Sequence, residues 1–391
     1  MVRRVLLAAC GAVLLMGLWG CVGFAVSPDG KRVVASWSKG LVIVDDRGRI
    51  LRKIPRSDGA HDVLWSPNGK YVLFLKDVSN SKRQQHTQAA SGKPHSTPTL
   101  HFSFEDNVIG VYLYDIEADQ LTRIALDAEA ATAFRSDSRK VAIVEKDEDG
   151  GLMLVERDVP SGEETARYNV SAEHVSMVQW LPGRDAQAYI GGGKSGAGLY
   201  VLQDGVESLV CPHNDVIGFA PTQDGKGLIW ARAPKGGRPA PFILETYDLT
   251  ARTCTPVPLR RMPPWLTASE GYVAKPEVAE FSPDTRRVVV SISYEERRHA
   301  TWRTPRSYVA CFVMTTDGTQ WRLLRRTIPR THTDTVIMPQ WSRNGQRIGV
   351  MLVGRYTYTV SLFEADGSNE RRVLASLLTP RHRARRHRSR R

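Results

Sequence analysis

Four histidines in the sequence stand close to acidic residues. They occur as His-Asp, Glu-His, His-Asn-Asp and His-Thr-Asp, at His61, His174, His213 and His332. Neutral imidazoles beside carboxylates are suitable ligands for a transition metal, and the same groups can act as a general acid and base. Loops also use histidine as a hydrogen-bonding residue. The pattern therefore becomes a metal or catalytic site only if the fold brings these side chains together.

The cysteines offer less chemistry. The sequence has five, at Cys10, Cys21, Cys211, Cys254 and Cys311, with no CxxC pair and no spacing typical of a zinc site. The first two lie in an apolar N-terminal segment, so at most one disulfide can form among the other three. We therefore predict no cofactor, and the alternative is a divalent metal held by the histidines.

The N-terminal segment predicts export or membrane anchoring. Arg3 and Arg4 precede an uncharged stretch, Val5–Val26. In one interpretation Leu-Trp-Gly-Cys is a lipobox and Cys21 is lipidated. In the others the segment is an uncleaved membrane anchor, or it is removed near Gly23. All three place the rest of the chain outside the cytoplasmic membrane, so we predict a membrane-anchored protein of the bacterial cell envelope that faces the periplasm or exterior.

The positive charge lies mainly at the C-terminus. The formal net charge is +13, but the last eleven residues, "RHRARRHRSRR", carry seven Arg, and the leader carries two. The rest of the chain retains about +4, which says little about partners. We predict a disordered tail over residues 379–391 that binds anionic lipid or an acidic polymer. Because the chain is predicted to be exported, nucleic acid is not an expected partner.

A short segment recurs along the chain. "VSPDGKRVV" at Val26 returns as "WSPNGKYVL", "FRSDSRKVA", "FSPDTRRVV" and "WSRNGQRIG", with two looser copies, "WLPGRDAQAYI" and "FAPTQDGKGLIW". In each copy an apolar anchor residue precedes a tight turn. In the complete form, Ser-Pro-Asp-Gly, Pro fixes φ, Asp bonds the backbone and Gly accepts a positive φ. The seven anchors are Val26, Trp65, Phe134, Trp180, Phe219, Phe281 and Trp341.

Each copy begins a unit of four predicted strands with alternating apolar residues. A single four-stranded sheet cannot bury both of its faces, whereas a closed ring of such sheets can. The sequence therefore predicts an all-β fold, a β-propeller of seven four-stranded blades over residues 24–378, with six or eight blades as alternatives. Residues 1–23 form the leader. Because the first unit begins with its inner strand and the last ends with its outer strand, we expect no strand exchange at ring closure.

These repeats resemble the WD-repeat-like propellers of exported bacterial proteins, among them the propeller of TolB and those attached to prolyl-oligopeptidase-type hydrolases. The resemblance covers about residues 24–376 and implies the fold far more than a function. TolB has an α/β domain before its propeller, and the oligopeptidases have a hydrolase domain after theirs. Neither is found in this sequence.

The resemblance implies that the loops between strands two and three, and the connections between blades, share one face. The insertions fall there, at residues 78–107 and in the segments "APKGGRPAP" and "YEERRHATWRTPRSY". All eight histidines outside the tail map to the same face. Metal-dependent oligogalacturonate lyases, which look related to this repeat family, use histidines on such a face, although their sequential motif is absent here.

Two hypotheses for function follow. The first is a non-catalytic, membrane-tethered scaffold of the cell envelope whose propeller face binds a protein or a polymer. The second is a metal-assisted enzyme acting on acidic polysaccharide through the histidine-rich face. They differ in whether His61, His174, His213 and His332 converge at the mouth of the channel.

Overall fold

The computed structural model describes residues 23–37, 40–78, 108–193, 196–233, 242–259, 272–296, 306–327, 335–354 and 357–377. These residues form seven antiparallel sheets of four strands each, and no helix occurs among them. Each sheet is one blade of a ring and consists of four strands that follow one another in the chain. The prediction of a seven-bladed, all-β propeller is therefore confirmed, and the alternatives of six or eight blades are wrong.

The first four blades contain strands β1 to β16. Blade 1 consists of β1 (Phe24–Val26), β2 (Arg32–Trp37), β3 (Gly40–Asp45) and β4 (Ile50–Ile54). Blade 2 consists of β5 (Ala60–Trp65), β6 (Tyr71–Asp77), β7 (Ile109–Asp115) and β8 (Gln120–Ala125). Blade 3 consists of β9 (Ala128–Phe134), β10 (Lys140–Lys146), β11 (Leu152–Asp158) and β12 (Glu164–Asn169). Blade 4 consists of β13 (His174–Trp180), β14 (Ala186–Gly193), β15 (Gly196–Gln203) and β16 (Val206–Cys211).

The last three blades contain strands β17 to β28. Blade 5 consists of β17 (Val216–Pro221), β18 (Gly227–Arg232), β19 (Ile243–Asp248) and β20 (Thr253–Val257). Blade 6 consists of β21 (Tyr272–Phe281), β22 (Arg287–Glu296), β23 (Arg306–Thr315) and β24 (Trp321–Thr327). Blade 7 consists of β25 (Thr335–Trp341), β26 (Arg347–Gly354), β27 (Thr357–Glu364) and β28 (Arg371–Leu377).

The recurring turn closes through its own side chains. In the first copy Ser27 Oγ donates to Asp29 Oδ1 over 2.5 Å, and the same oxygen accepts the Lys31 N–H over 3.1 Å. Gly30 has a φ of 71°, in the region that favours glycine. Burial alone would raise the pKa of Asp29, but the hydrogen bonds from Ser27 and Lys31 outweigh it and lower that pKa. The turn thus needs an ionised or amide acceptor at its third position.

The described residues form seven apolar core clusters, and each one lies between two adjacent blades. Alternate residues of a strand therefore pack against the preceding and the following blade, as the alternating sequence pattern requires. Blade 5 shows the division: Phe219 and Trp230 face blade 4, whereas Ala220 and Ile229 face blade 6. Each blade therefore needs an adjacent blade on both sides to bury its two apolar faces, and a closed ring provides both for every blade.

The aromatic anchors also bond between blades. The indole N–H of Trp65 donates to the carbonyl of Ala25 in the preceding blade over 3.0 Å. In the same way, the indole N–H of Trp180 donates to the carbonyl of Ala133 over 3.1 Å, and that of Trp341 donates to the carbonyl of Glu280 over 3.0 Å. In each pair the acceptor is the residue just before the anchor of the preceding blade. This shared bond explains why tryptophan recurs at the anchor.

The ring closes between blades 7 and 1 without an exchanged strand, as expected. Phe24 and Val26 pack in one cluster with Met351, Tyr358 and other residues of blade 7. The Val26 N–H donates to Gln340 Oε1 over 2.9 Å, and the Asn344 N–H donates to the Pro28 carbonyl over 3.0 Å. Closure therefore depends on side-chain packing and a few hydrogen bonds.

Candidate functional site

The strand directions give the propeller two distinct faces. The turns that join the first strand of each blade to the second, and the third to the fourth, lie on one side, which we call the turn face. The hairpin ends between the second and third strands, and the connections between blades, lie on the opposite side, which we call the connection face. The predicted separation of turns from loops follows directly from this consecutive strand order.

Both ends of the described chain reach the connection face. Gly23 precedes the inner strand of blade 1 and packs against His61, Asp62 and Val63 of blade 2. Leu377 ends the outer strand of blade 7 on the same side.

The internal segments outside the described residues are all flanked by strand ends at this face. Together with the two termini they contain 23 of the 54 Lys and Arg residues but four of the 41 Asp and Glu residues.

Three of the four predicted histidines lie at this face. His61 is in β5, and its Nδ1 is 2.8 Å from Asp62 Oδ2. His174 begins β13, is exposed and packs its ring over Gly192. His213 is exposed in the connection that enters blade 5. His332 lies outside the described residues, as do His86, His95, His101 and His299.

The three described histidines belong to blades 2, 4 and 5. Within the part of the chain that the structure describes, no group of three or more His, Cys, Asp and Glu side chains could hold a metal ion. The described histidines thus make no metal site among themselves. A site completed by His332 stays a prediction, and with it the metal-assisted enzyme.

A polar cluster near His213 was not predicted from the sequence. Arg232, at the end of β18, contacts Glu245 of β19 through two hydrogen bonds of 2.9 and 3.0 Å. The indole of Trp230 donates to the same carboxylate over 2.8 Å. Asp215 Oδ2 lies 3.8 Å from Arg232, and Asp215 Oδ1 is buried without a hydrogen-bond partner among the described residues. The available signal in the sequence was an Arg at the end of one apolar strand, β18, and a Glu within the next strand, β19.

The electrostatics of this cluster favour a structural role. Burial alone would raise the pKa of Glu245, but the hydrogen bonds from Arg232 and Trp230 outweigh it and lower that pKa. The bond to Glu245 also raises the pKa of Arg232. Both groups therefore stay ionised near neutral pH, and a carboxylate held in this way is a poor proton donor. The pair joins β18 to β19 at the connection-face end of blade 5, beside the segment that enters the blade.

The proposed lipidation residue, Cys21, lies outside the described residues, as do the rest of the leader up to residue 22 and the Arg-rich tail. Among the residues that the structure does describe, none forms a helix long and apolar enough to cross a membrane.

Neither a protein family model nor a curated protein matches the sequence. Solved structures do match. The β-propeller domain of the Trilobed protease from Pyrococcus furiosus, described as having an open velcro topology, has a TM-score of 0.57 at 13% identity, covering 90% of this chain and 96% of that one. The WD40 repeats of RRP9 give a TM-score of 0.51 at 14% identity, covering 85% and 87%. TolB from Acinetobacter baumannii gives 0.44 at 15% identity, covering 79% and 63%.

At these identities the likeness shows the fold alone. It confirms the predicted resemblance to WD-repeat-like propellers at the level of architecture. An open velcro topology, with no strand exchanged between the termini, is also what the seven consecutive sheets of this chain show. The TolB superposition is too loose to carry an argument about function.

Proposed function

We propose that this protein is a non-catalytic propeller scaffold of the bacterial cell envelope, tethered to a membrane and binding a protein or polymer partner. The observation that carries the proposal is that both ends of the described chain lie at the connection face. A rigid ring with its loops on one face is a suitable frame for recognition, because loops can vary without disturbing the blades.

The tether determines which face lies next to the membrane. Gly23 is already packed against blade 2, so a lipid on Cys21 would be separated from the folded ring by Val22 alone. Such a short link cannot let the ring turn freely. We therefore place the connection face towards the bilayer, and the partner is a protein or polymer close to the membrane surface.

The charge distribution supports the same orientation. The described blades carry more acidic than basic residues, whereas the segments that leave the connection face are rich in Lys and Arg. A basic residue near an anionic membrane surface contributes roughly 1 kcal/mol of binding free energy. The seven Arg of the tail would then bind anionic headgroups or an acidic envelope polymer on the side where the leader is anchored.

The anchor can be tested by metabolic labelling with palmitate in the full chain. We expect label in the wild type and in Cys10→Ser, and none in Cys21→Ser, because only Cys21 follows a lipobox-like sequence at a sufficient distance from Arg4. Cys10→Ser is the matched control within the same apolar segment. Unlabelled wild-type protein would remove the lipoprotein assignment, while continued sedimentation with membranes would support an uncleaved anchor.

The orientation can be tested with two labels on blade 5. His213→Cys is at the connection face and Gln223→Cys at the turn face, and both native residues are exposed. Each is made in a Cys254→Ser background, because Cys254 is an exposed thiol. The two sites are roughly 20 Å apart, the length of a six-residue strand. In vesicles bearing an energy-transfer acceptor on lipid headgroups, a dye at position 213 should be quenched several-fold more than a dye at position 223.

Deleting residues 1–22, which keeps the packed Gly23, is the control for this measurement. In vesicles of zwitterionic lipid, where the basic tail meets no anionic headgroups, the deletion should abolish the difference between the two labels. Equal quenching at both positions, or stronger quenching at position 223, would show that the connection face does not face the bilayer.

A further inference from the structure

The outer strands of the seven blades differ in charge. Those of three consecutive blades, 6, 7 and 1, contain seven Lys and Arg residues and no Asp or Glu. Those of the other four blades contain two basic and two acidic residues. The outer wall of the ring therefore carries one basic strip, which crosses the junction where the ring closes. Its seven residues, which we call the rim cations, are Arg322, Arg325, Arg326, Arg371, Arg372, Arg52 and Lys53.

Two rim cations lie along the groove between blades 7 and 1. Lys53 is directly paired with Val42, which packs in the cluster between these two blades. Directly paired residues project to the same face of a sheet, so Lys53 faces blade 7. Arg371 is paired with Leu362 of the same cluster, and its Nη1 lies 3.2 Å from Asp46 Oδ2 of blade 1. Lys53 and Arg371 thus flank the outer opening of the closing interface.

The next two grooves also contain exposed rim cations. Arg372 is paired with Ser361, whose hydroxyl accepts a hydrogen bond from Arg325 Nη2 of blade 6 over 3.3 Å, so Arg372 faces blade 6. The guanidinium of Arg326 lies 4.6 Å from the centre of the Tyr308 ring, in the cluster between blades 5 and 6. Three successive grooves therefore each hold an exposed cation, at Lys53, Arg372 and Arg326.

Part of the positive charge is balanced by the blades themselves. Four rim cations form an ion pair with a carboxylate of the following blade, at Arg52, Arg322, Arg325 and Arg371. These pairs join neighbouring blades. Lys53 and Arg372, in contrast, are exposed and form no ion pair with any residue that the structure describes. The strip therefore retains a positive charge that a ligand can neutralise.

We propose that the rim cations bind a linear acidic polysaccharide that runs along the outer wall of blades 6, 7 and 1. The cations are spread over three grooves, so a small anion contacts one of them at a time. A polymer with a carboxylate on each sugar unit contacts all of them, through charge-assisted hydrogen bonds. The proposal deepens the proposed function by naming the polymer and its surface. It rests on the proposed function only for the location of the protein in the cell envelope.

The distribution of apolar residues favours a polymer over a folded acidic protein. The centre of a protein–protein interface is depleted of charge and rich in apolar side chains. On this strip the exposed large apolar residues lie at the two sides, at Ile50 and Leu51 of blade 1 and Leu323 of blade 6. The middle, blade 7, exposes Arg371 and Arg372 instead. A continuous apolar centre is therefore missing from the described strip.

The position of the strip favours a polymer over lipid headgroups. In the proposed orientation the connection face lies next to the bilayer. The outer strands form the side wall of the ring, and they run away from that face. A polymer can follow this wall across three blades, whereas a flat membrane surface reaches only its connection-face edge.

The test measures binding of the full chain, in a neutral detergent, to fluorescein-labelled polygalacturonate by fluorescence anisotropy. The seven Arg of residues 381–391 are changed to glutamine in every protein, so that the tail does not contribute. In this background the triple variant Lys53→Gln, Arg326→Gln, Arg372→Gln should bind about tenfold more weakly, because each exposed charge pair makes a modest contribution. Binding of the background protein should weaken as salt is added.

A matched triple variant controls for net charge. Lys31→Gln, Arg123→Gln and Lys226→Gln remove the same charge from exposed residues that are not rim cations. We expect this triple to weaken binding by less than about twofold, because its charges lie away from the strip.

A double variant keeps the test valid if loss of the Arg326 guanidinium disturbs blade 6. Lys53→Gln with Arg372→Gln leaves the stacking of Arg326 on Tyr308 intact and should weaken binding about fivefold. Melting temperatures close to that of the background protein show that the variants are folded.

Four results would overturn the proposal. The first is equal loss of binding in the two triple variants, and the second is no binding by the background protein. The third is tighter binding of polyglutamate, lost in the rim triple, which assigns the strip to an acidic protein segment. The fourth is an equal loss of sedimentation with phosphatidylglycerol vesicles, which assigns it to lipid. None of these results alters palmitate labelling or the quenching at positions 213 and 223, so failure of the tether is detected separately.

Discussion

Replacing Glu280 with glutamine should stabilise the propeller at pH 8 and have little effect at pH 5. Glu280 is in the inner strand β21, and its neighbours Ala279 and Phe281 face blade 5, so its side chain points towards blade 7. Burial raises the pKa of Glu280 from 4.5 to about 7. Among the described residues no opposing charge offsets that burial, so the ionised form is costly in the folded state.

The sign of the pH dependence follows from proton binding. Between about pH 4.5 and pH 7 the folded protein keeps a proton on Glu280 that the unfolded chain has lost. The contribution of Glu280 to the free energy of unfolding therefore falls as pH rises through this window and stays low above it. One pKa unit corresponds to about 1.4 kcal/mol, so the full effect is about 1–3 kcal/mol. Glutamine has no such ionisation.

Urea unfolding of the wild type and Glu280→Gln at pH 5 and pH 8 measures the effect directly. The matched control is Glu277→Gln in the same strand, whose carboxylate accepts a hydrogen bond from Ser293 Oγ over 2.7 Å. We expect no comparable gain from Glu277→Gln at pH 8. If Glu280→Gln shifts stability equally at both pH values, the carboxyl group is not buried in its neutral form.

Replacing Trp341 with alanine should cost about 3–5 kcal/mol of unfolding free energy, as for other buried large-to-small changes of aromatic residues. Trp341 is 6% exposed and packs between blades 6 and 7. Its indole also bonds the Glu280 carbonyl over 3.0 Å. The substitution leaves a cavity between blades 6 and 7, and it removes the hydrogen-bond donor of the Glu280 carbonyl.

Phenylalanine at the same position separates the two effects. Trp341→Phe keeps an aromatic ring but leaves the Glu280 carbonyl without its donor, so we expect a cost of about 1–3 kcal/mol. Trp65→Phe should cost a similar amount, because Trp65 makes the same bond to Ala25. Trp37→Phe, at the end of β2 where the indole is only partly buried, should cost less. Equal costs for all three phenylalanine variants would argue against the inter-blade bond as the reason for tryptophan.

The blade number and the turns could be predicted because their signals are local. Four of the seven copies place a Ser two residues before an Asp or Asn, and the Ser hydroxyl donates to that side chain whatever the rest of the chain does. Even the looser copy at Phe219 forms its blade, with Thr222 Oγ1 donating to Asp224 in place of serine. Consecutive pairing of strands then gives the order within each blade and the face on which every loop lies.

The histidines mark the limit of such reasoning. The sequence placed His61, His174 and His213 on one face, and the structure agrees for all three. The sequence does not give the distances between these side chains. Those distances depend on which blades carry the histidines and on where each chain segment meets the ring. Within the described residues they assemble no metal-binding group.

The strands, the turns, the seven blades and the two sides of the ring can be read from the sequence, because they depend on residues close together in the chain. The contacts between blades cannot, because they join residues far apart in the chain. The bonds from Trp65 to Ala25 and from Trp341 to Glu280, and the pairing of Arg232 with Glu245 beside Asp215, all depend on packing between elements. Most of these contacts join two blades. The period-two pattern of a strand predicts that a side chain is buried, but it does not predict which side chain of the next blade it contacts.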